Sequence, residues 1–375
     1  MKVTVHAGSH NRNGSPLSFP MAGVPLGEEG KGISAQVDSD QLVFIPPHLE
    51  LGTSSTYSLI PAKGSLTYGV HLEDTGERIC IKIDGELFTN YFYKDVPARP
   101  YFWPVNAPGQ VQLTRAYPMA NVEGETQDHH HHRSIYFAYG EVNEVDNWSE
   151  EKGHGYTVHK SVDELVSGPV FGRFVTTSDW TSSVGETLMS QKATVTVYRG
   201  DDKQRMMDVE LSFTANEHDV HFGDTKEGGI ISVRVASVLD VDKKLGGIIV
   251  NAYGGINERE TWGKAAHWCD YSGNIDGHPY GIAVMDHPSS FRYPTYWHVR
   301  DYGLMTANPF ALAAYTAGEK VVKDGSYTLK VGEQMHFKYR VLIHRGNAYE
   351  ADVTGQYLSF VSPPKVVQAA GEGNT

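Results

Sequence analysis

Cysteine is almost missing from this chain: Cys80 and Cys269 are the only two in 375 residues. So sparse a supply excludes a disulfide-stapled scaffold and predicts a reducing, cytoplasmic setting. Long apolar runs are missing too, since no window nears the ~18 residues of a membrane helix, and no membrane partner is expected. The opening MKVTVHAGSHNRNG has no basic stretch followed by an apolar one, so no secretory leader is expected. Positive charge is in deficit, with 32 Lys and Arg against 45 Asp and Glu and a net charge of −13. That balance argues against nucleic acid, whose phosphates call for clustered cations, and leaves a small neutral molecule as the expected partner. No P-loop, strand-to-helix glycine fingerprint, G-x-S-x-G, paired C-x-x-C or H-E-x-x-H occurs, so no nucleotide cofactor is expected.

Amphipathic helix patterns are scarce as well, whereas short runs rich in Val, Ile, Thr, Tyr and Phe between Gly, Pro, Asn and Asp recur throughout. Strands are expected at ISAQV, QLVFI and YSLIP, then at RICIKI and ELFTNYFY, joined as a hairpin through Asp84-Gly85. Further strands follow at IYFAYGEV, GPVFGRFVTT, ATVTVYRG, MDVELSFTA, ISVRVASV, GIAVMD and MHFKYRVLIH. Clean alternation in KATVTVY and ISVRV gives each strand one buried face, as stacked antiparallel sheets require. The expected class is all-β: a large two-sheet antiparallel supersandwich over residues 66–361, preceded by a small β region over 1–65. The small-polar end, 362–375, reads as a flexible tail.

Against this background stands Asp128-His129-His130-His131-His132-Arg133, set within the chain between strand-like segments. Imidazole serves as metal ligand, general acid or general base. On an extended segment alternate residues share a face, which pairs His129 with His131 or His130 with His132. A solvated polar loop is the plainer alternative. Other polar-aromatic clusters lie elsewhere: Arg115 after YFWPVNAPGQ, Glu227 before a Gly-Gly turn, and a long stretch holding Trp262, His267, Trp268, Asp270, Tyr271, His287, Trp297, His298, Arg300, Tyr302 and Asn308. Such mixtures are poor core, because every buried polar group needs a partner, and good sugar-binding material. All of these clusters are therefore expected to converge on one cleft.

The stretch DHHHHRSIYFAYGEVNEVDNWSE resembles the Asp-His-Pro-His-His-Arg-Gly-Leu signature of the bacterial PmoA-like family, with its downstream Val-Asn-Gly and Phe-Trp. WHVRDYGL followed by NPF resembles that family's second signature. His130 replaces the family's Pro and Ser134-Ile135 its Gly-Leu, while His129, His131, His132 and Arg133 stay in register. The family carries the name methane oxygenase PmoA, yet the membrane enzyme of that name needs transmembrane helices that this chain lacks. The resemblance implies a sandwich similar to galactose mutarotase and polysaccharide lyase supersandwiches. It also implies a setting beside sugar oxidoreductases and an oxidised keto-glycoside as substrate.

Together these readings predict cleavage of a keto-glycoside by proton abstraction next to its carbonyl, with a metal-free mutarotase or epimerase and a non-catalytic sugar-binding module as alternatives. One or two of His129, His131 and His132 are expected as base or as ligands of a divalent metal ion, held by His129 and His131. His298 or His287 is expected as acid, and Arg300 with Arg115 as oxyanion clamps. Trp262, Trp268 and Trp297 are expected as sugar platforms, with Asp270, Tyr271, Tyr302, Asn308 and Glu227 as further substrate contacts.

Overall fold

The computed structural model describes residues 1–21, 32–62 and 64–369. Strand accounts for 49% of the chain and helix for 7%, so the fold is all-β. One sheet has eight strands, in the order Tyr156–Val166, Phe171–Thr181, Thr187–Tyr198, Gln204–Thr214, Gln334–Arg345, His278–Asp286, Trp268–Ile275 and Ile248–Asn251. The other has twelve, and its spine runs from Lys264–Ala265 through Tyr296–Arg300, Leu304–Ala307, Gly228–Arg234 and Ile135–Val142 to Val70–Asp74. Every pairing in both is antiparallel. The Asp84-Gly85 hairpin forms as expected, with both residues at positive φ, the backbone that a tight two-residue turn demands.

Alternation along the strands builds the core between the sheets. Val195, Val197, Val209, Leu211, Val341 and Ile343 from one sheet meet Ile79, Ile81, Phe102, Ile135, Ile231 and Val233 from the other. The complementary positions point away from this core and make two outer faces. That of the eight-stranded sheet is covered by the helix Val353–Val361, whose Val353, Tyr357 and Phe360 pack on Trp268, Met206, Ala283, Met285 and Leu342.

The first strands make a six-stranded sheet with its own apolar cluster of Val3, Val5, Leu42, Phe44 and Leu59. Its sixth strand comes from the other end of the chain: Lys365–Gln368 pairs with Lys2–His6. The sequence reading of 362–375 as loose is corrected there, because Lys2–His6 offers a free edge whose backbone groups those four residues satisfy. Residues 370–375, and Lys63 near the expected boundary at 65/66, lie outside the described residues. Among the described residues no helix is long and apolar enough to cross a membrane.

Candidate active site

A concave cleft of about 590 Å³ opens on the outer face of the twelve-stranded sheet. In Tyr296–Arg300 the odd-numbered Trp297 and Val299 enter the core, so His298 and Arg300 turn to the cleft. The same alternation in Ile135–Val142 sends Ile135, Phe137 and Tyr139 inward and leaves Tyr136 and Ala138 to pack with Trp148 and Leu304 beneath the cleft. Glu227 and Lys226 arrive on the turn before Gly228–Arg234. Asn308 clamps that turn by donating from Nδ2 to the Thr225 and Gly228 carbonyls, both at 3.0 Å.

The histidine run does not follow strand alternation. It is a tight turn in which the His132 N–H donates to the His129 carbonyl at 2.9 Å and His129 sits at φ +40°. Arg115, fully buried, donates to the His129 carbonyl at 2.8 Å, the His132 carbonyl at 3.3 Å and Asp128 Oδ1 at 2.5 Å. Wound this way, His129 and His132 stack face to face, 4.8 Å between centroids and 3° between planes, and His129 also stacks on Tyr302 at 4.9 Å. His131 stands edge-on to His132 at 4.3 Å and to Trp148 at 5.7 Å, and His130 is exposed outside the cleft. The expected pairing of alternate histidines is thereby corrected to i, i+3, because a turn rather than a strand sets their directions.

Electrostatics divide the roles. Burial works to raise the Asp128 carboxyl, but the hydrogen bond to His129 and the charges of Arg234 and Arg115 outweigh it and hold the group well below the usual range. An ionised carboxylate only accepts, so His129 Nδ1, 3.2 Å from Asp128 Oδ2, carries a proton, which leaves Nε2 as the nitrogen whose lone pair can act as a base. Burial pushes His298 down to about 3, helped by the cations Arg300 and Lys226. Burial first, then Arg99 and the neighbouring imidazoles, brings His131 to about 3, and burial depresses His132 strongly. The cleft thus holds His131, His132 and His298 as neutral imidazoles beside Arg300 and Lys226.

Of the residues expected from sequence, His129, His131, His132, Glu227, His298, Arg300 and Tyr302 line this cleft. Arg115 lies behind it as the anchor of the histidine turn. Trp262 packs edge-on to His298 at 6.3 Å and to Tyr315 at 5.1 Å without lining the cleft. Trp297 is core, its Nε1 donating to the Ala266 carbonyl, and Tyr271 is core with its hydroxyl on the Asp301 carbonyl at 2.9 Å. Trp268, Asp270 and His287 belong to the eight-stranded sheet's side: Trp268 under the helix, Asp270 on His344 at 2.7 Å, His287 against Phe360. Their expected convergence fails because Trp268–Ile275 and His278–Asp286 run in the eight-stranded sheet, whose two faces are the core and the helix-covered side, while Trp297 points inward from its own strand.

The sequence reading left out Lys226, Ser149, Asp146 and Trp148 as site residues. The last three stand in the quoted histidine motif, where the aromatic and the carboxylate were the available signal. Asp146 caps its own turn, accepting from the Trp148 and Ser149 amides at 2.7 and 3.0 Å. The sequence reading placed a divalent metal ion on His129 and His131. Their rings are 5.8 Å apart and edge-on, and among the described residues no group of three or more His, Cys, Asp or Glu is arranged to hold an ion.

A larger cavity, about 800 Å³, lies at the seam between the N-terminal sheet and the sandwich. Its polar groups are committed to the protein: Asp201 accepts from the Lys203 and Gln204 amides, Asp352 from Gly355 and Asn13 and Glu350 from the Asn347 amide, while His48 bonds Asn13, His344 bonds Asp270 and Arg199 bonds Asp84. The smaller cleft, where imidazole nitrogens and cations converge, is the candidate for chemistry.

The profile of a family described as "Family of unknown function (DUF6807)" matches residues 78–358. Comparison with curated proteins finds no match. Among solved structures, the heparan sulfate lyase HepC from Pedobacter heparinus is similar over 76% of this chain and 37% of its own, at 7% identity and TM-score 0.36. An α-galactosidase from Lactobacillus brevis is similar over 74% and 39%, at 9% and 0.32. A GalM/aldose epimerase homologue from C. elegans is similar over 76% and 99%, at 8% and 0.30. The chain thus spans under two fifths of the first two proteins' length.

Proposed function

For this chain, which belongs to the DUF6807 family of unknown function, we propose a carbohydrate-active enzyme that cleaves a C–O bond of a keto-glycoside. The observation that carries the reading is the Asp128–His129 pair, opening on a cleft that also holds Arg300, Lys226 and two aromatic walls, Trp148 and Tyr302. Aromatic faces suit the apolar faces of a sugar ring. His129 Nε2 takes the proton from the carbon beside the keto group, and Asp128 stabilises the imidazolium that forms. The electron pair moves into the carbonyl, and the oxyanion of the resulting enediolate faces Arg300 and Lys226, whose charges suit that state best. Collapse of the enediolate expels the β-placed glycosidic oxygen, which takes back the proton from His129. The products are an unsaturated keto sugar and a free alcohol, so atoms and charge balance. The reaction that supplies such a substrate is oxidation of a glycoside hydroxyl by a sugar oxidoreductase.

Incubation with a 3-keto-glucoside in D2O tests this. Alcohol release and deuterium uptake beside the carbonyl are expected, both lost in His129→Ala, with chelator having no effect. No release and no exchange, or a fully active His129→Ala, sinks the proposal. Exchange with epimerisation and no cleavage is what the metal-free epimerase reading predicts, since it draws on the same base. Binding without either reaction marks a sugar-binding module.

A further inference from the structure

Arg234 ends the strand Gly228–Arg234, is fully buried and does not line the cleft, yet it touches three of the groups that build it. Its Nη2 donates to Asp128 Oδ1 at 2.9 Å, its Nη1 lies 3.4 Å from His132 Nδ1, and its Cζ is 4.9 Å from the centre of the Tyr302 ring. We infer that Arg234 is a positioning residue that locks His132 as the tautomer protonated on Nε2. The stacked His129 and His132 then offer the cleft one acceptor and one donor side by side.

A guanidinium has donors only, so the His132 Nδ1 facing it presents a lone pair. Burial first, then the charges of the neighbouring histidines, Arg234 and Arg115, disfavours a second proton on this ring, so its one proton sits on Nε2. Nε2 has no protein partner among the described residues, and it is not among the sealed polar atoms of the fold, whereas His298 Nδ1 is. It therefore reaches the cleft as an N–H. His129, held through Nδ1 by Asp128, presents the opposite character in a ring parallel to His132.

The complement of this pair is a substrate with a C–H to lose next to an oxygen that accepts: a ketone flanked by a carbon bearing both hydrogen and hydroxyl, as in a keto sugar. The tautomer assignment stands on the Arg234 contact together with the burial of the ring, and not on the reaction. Its use on a keto sugar rests on the proposed function.

Long-range 1H–15N correlation spectra of protein labelled at histidine nitrogens, at neutral pH, test it, with His132→Gln and His129→Gln identifying the signals. The expected spectrum shows His132 protonated on Nε2 and His129 on Nδ1. His132 protonated on Nδ1, doubly protonated, or averaging between tautomers overturns the inference. Arg234→Met removes the donor at similar length, and His132 is then expected to move to an averaged signal while His298 stays in place. An unchanged His132 signal in folded Arg234→Met also overturns it; should that variant not fold, the parent spectrum decides. The expected tautomers in a protein inert toward every keto-glycoside overturn the enzyme reading alone, and an active enzyme with the wrong tautomer overturns this inference alone.

Discussion

On the outer face of the twelve-stranded sheet, His131 and His298 turn toward a cleft with no protein hydrogen bond at their ring nitrogens among the described residues, and His132 is held only at Nδ1, by Arg234. On the opposite outer face the same residue types are mostly paired within the protein, although His344 Nδ1, Asp270 Oδ1 and Arg340 Nη1 stay buried without a partner among the described residues. There His344 Nε2 holds Asp270 at 2.7 Å, Arg340 grips Asp208 at 2.7 and 2.8 Å, and His267 sits between the hydroxyls of Tyr253 and Tyr293 at 2.9 and 2.6 Å. Composition scarcely distinguishes the two regions. What separates them is cover: a helix and the N-terminal strands seal one, and its polar groups must then find partners within the protein. A polar-aromatic cluster signals function only where such partners are lacking and the face is open.

The sharpest way to break this contrast is Asp128→Ala. It leaves Arg115 and Arg234, both fully buried, without their shared carboxylate, and a loss of about 3–5 kcal/mol in urea unfolding is expected together with loss of turnover. Arg300→Ala, on the open cleft, is expected to lower kcat on the order of 10²–10³-fold while the melting temperature stays near that of the parent. On the sealed face His344→Ala should do the reverse, costing about 1–3 kcal/mol by stranding Asp270 and leaving kcat/KM unchanged. A kcat loss in His344→Ala, or none in Arg300→Ala, exchanges the two faces and refutes the assignment.

Acid sharpens the comparison further. His298 and His131 titrate near 3 in the folded chain against 6.5 unfolded, so the folded state binds fewer protons in that interval. Their stability contribution is complete above pH 6.5 and lost as pH falls toward 3. Asp286, at the end of a strand in the eight-stranded sheet, is raised by burial to about 7, so its contribution is present below 3.8 and lost as pH rises through 7. Melting curves across pH 4–7 should therefore show a rising component that His298→Gln weakens and a falling one that Asp286→Asn weakens; the opposite assignments contradict the burial argument. The smallest effect is expected at His287→Ala, within about 0.5 kcal/mol and without change in activity, since its ring only edges Phe360 and bonds Ser289.

Much of the fold was legible in the chain. RICIKI, KATVTVY and MHFKYRVLIH fall within Arg78–Ile83, Thr187–Tyr198 and Gln334–Arg345, because alternation is a local property written in side-chain type. Part of the site was legible as well: His129, His131, His132, His298, Arg300, Tyr302 and Glu227 meet in one cleft. Lys226 and Ser149 were missed because a lysine or serine in a turn looks like any other solvated residue. Trp268 and Trp297 were taken for sugar platforms because an aromatic beside a histidine looks the same whichever way its strand faces.

By itself, then, the sequence determined an all-β chain of antiparallel strands and marked the histidine run as the candidate for chemistry, since periodicity and residue type are carried locally. Which face became a cleft was decided only by the tertiary structure. A period of two defines two faces but not which of them is covered, and the cover comes from Val353–Val361 and the N-terminal strands, far away in sequence. The partner of each imidazole was decided there too, because Arg115 and Arg234 reach Asp128 and the histidine turn only once the sheet has brought their strands together.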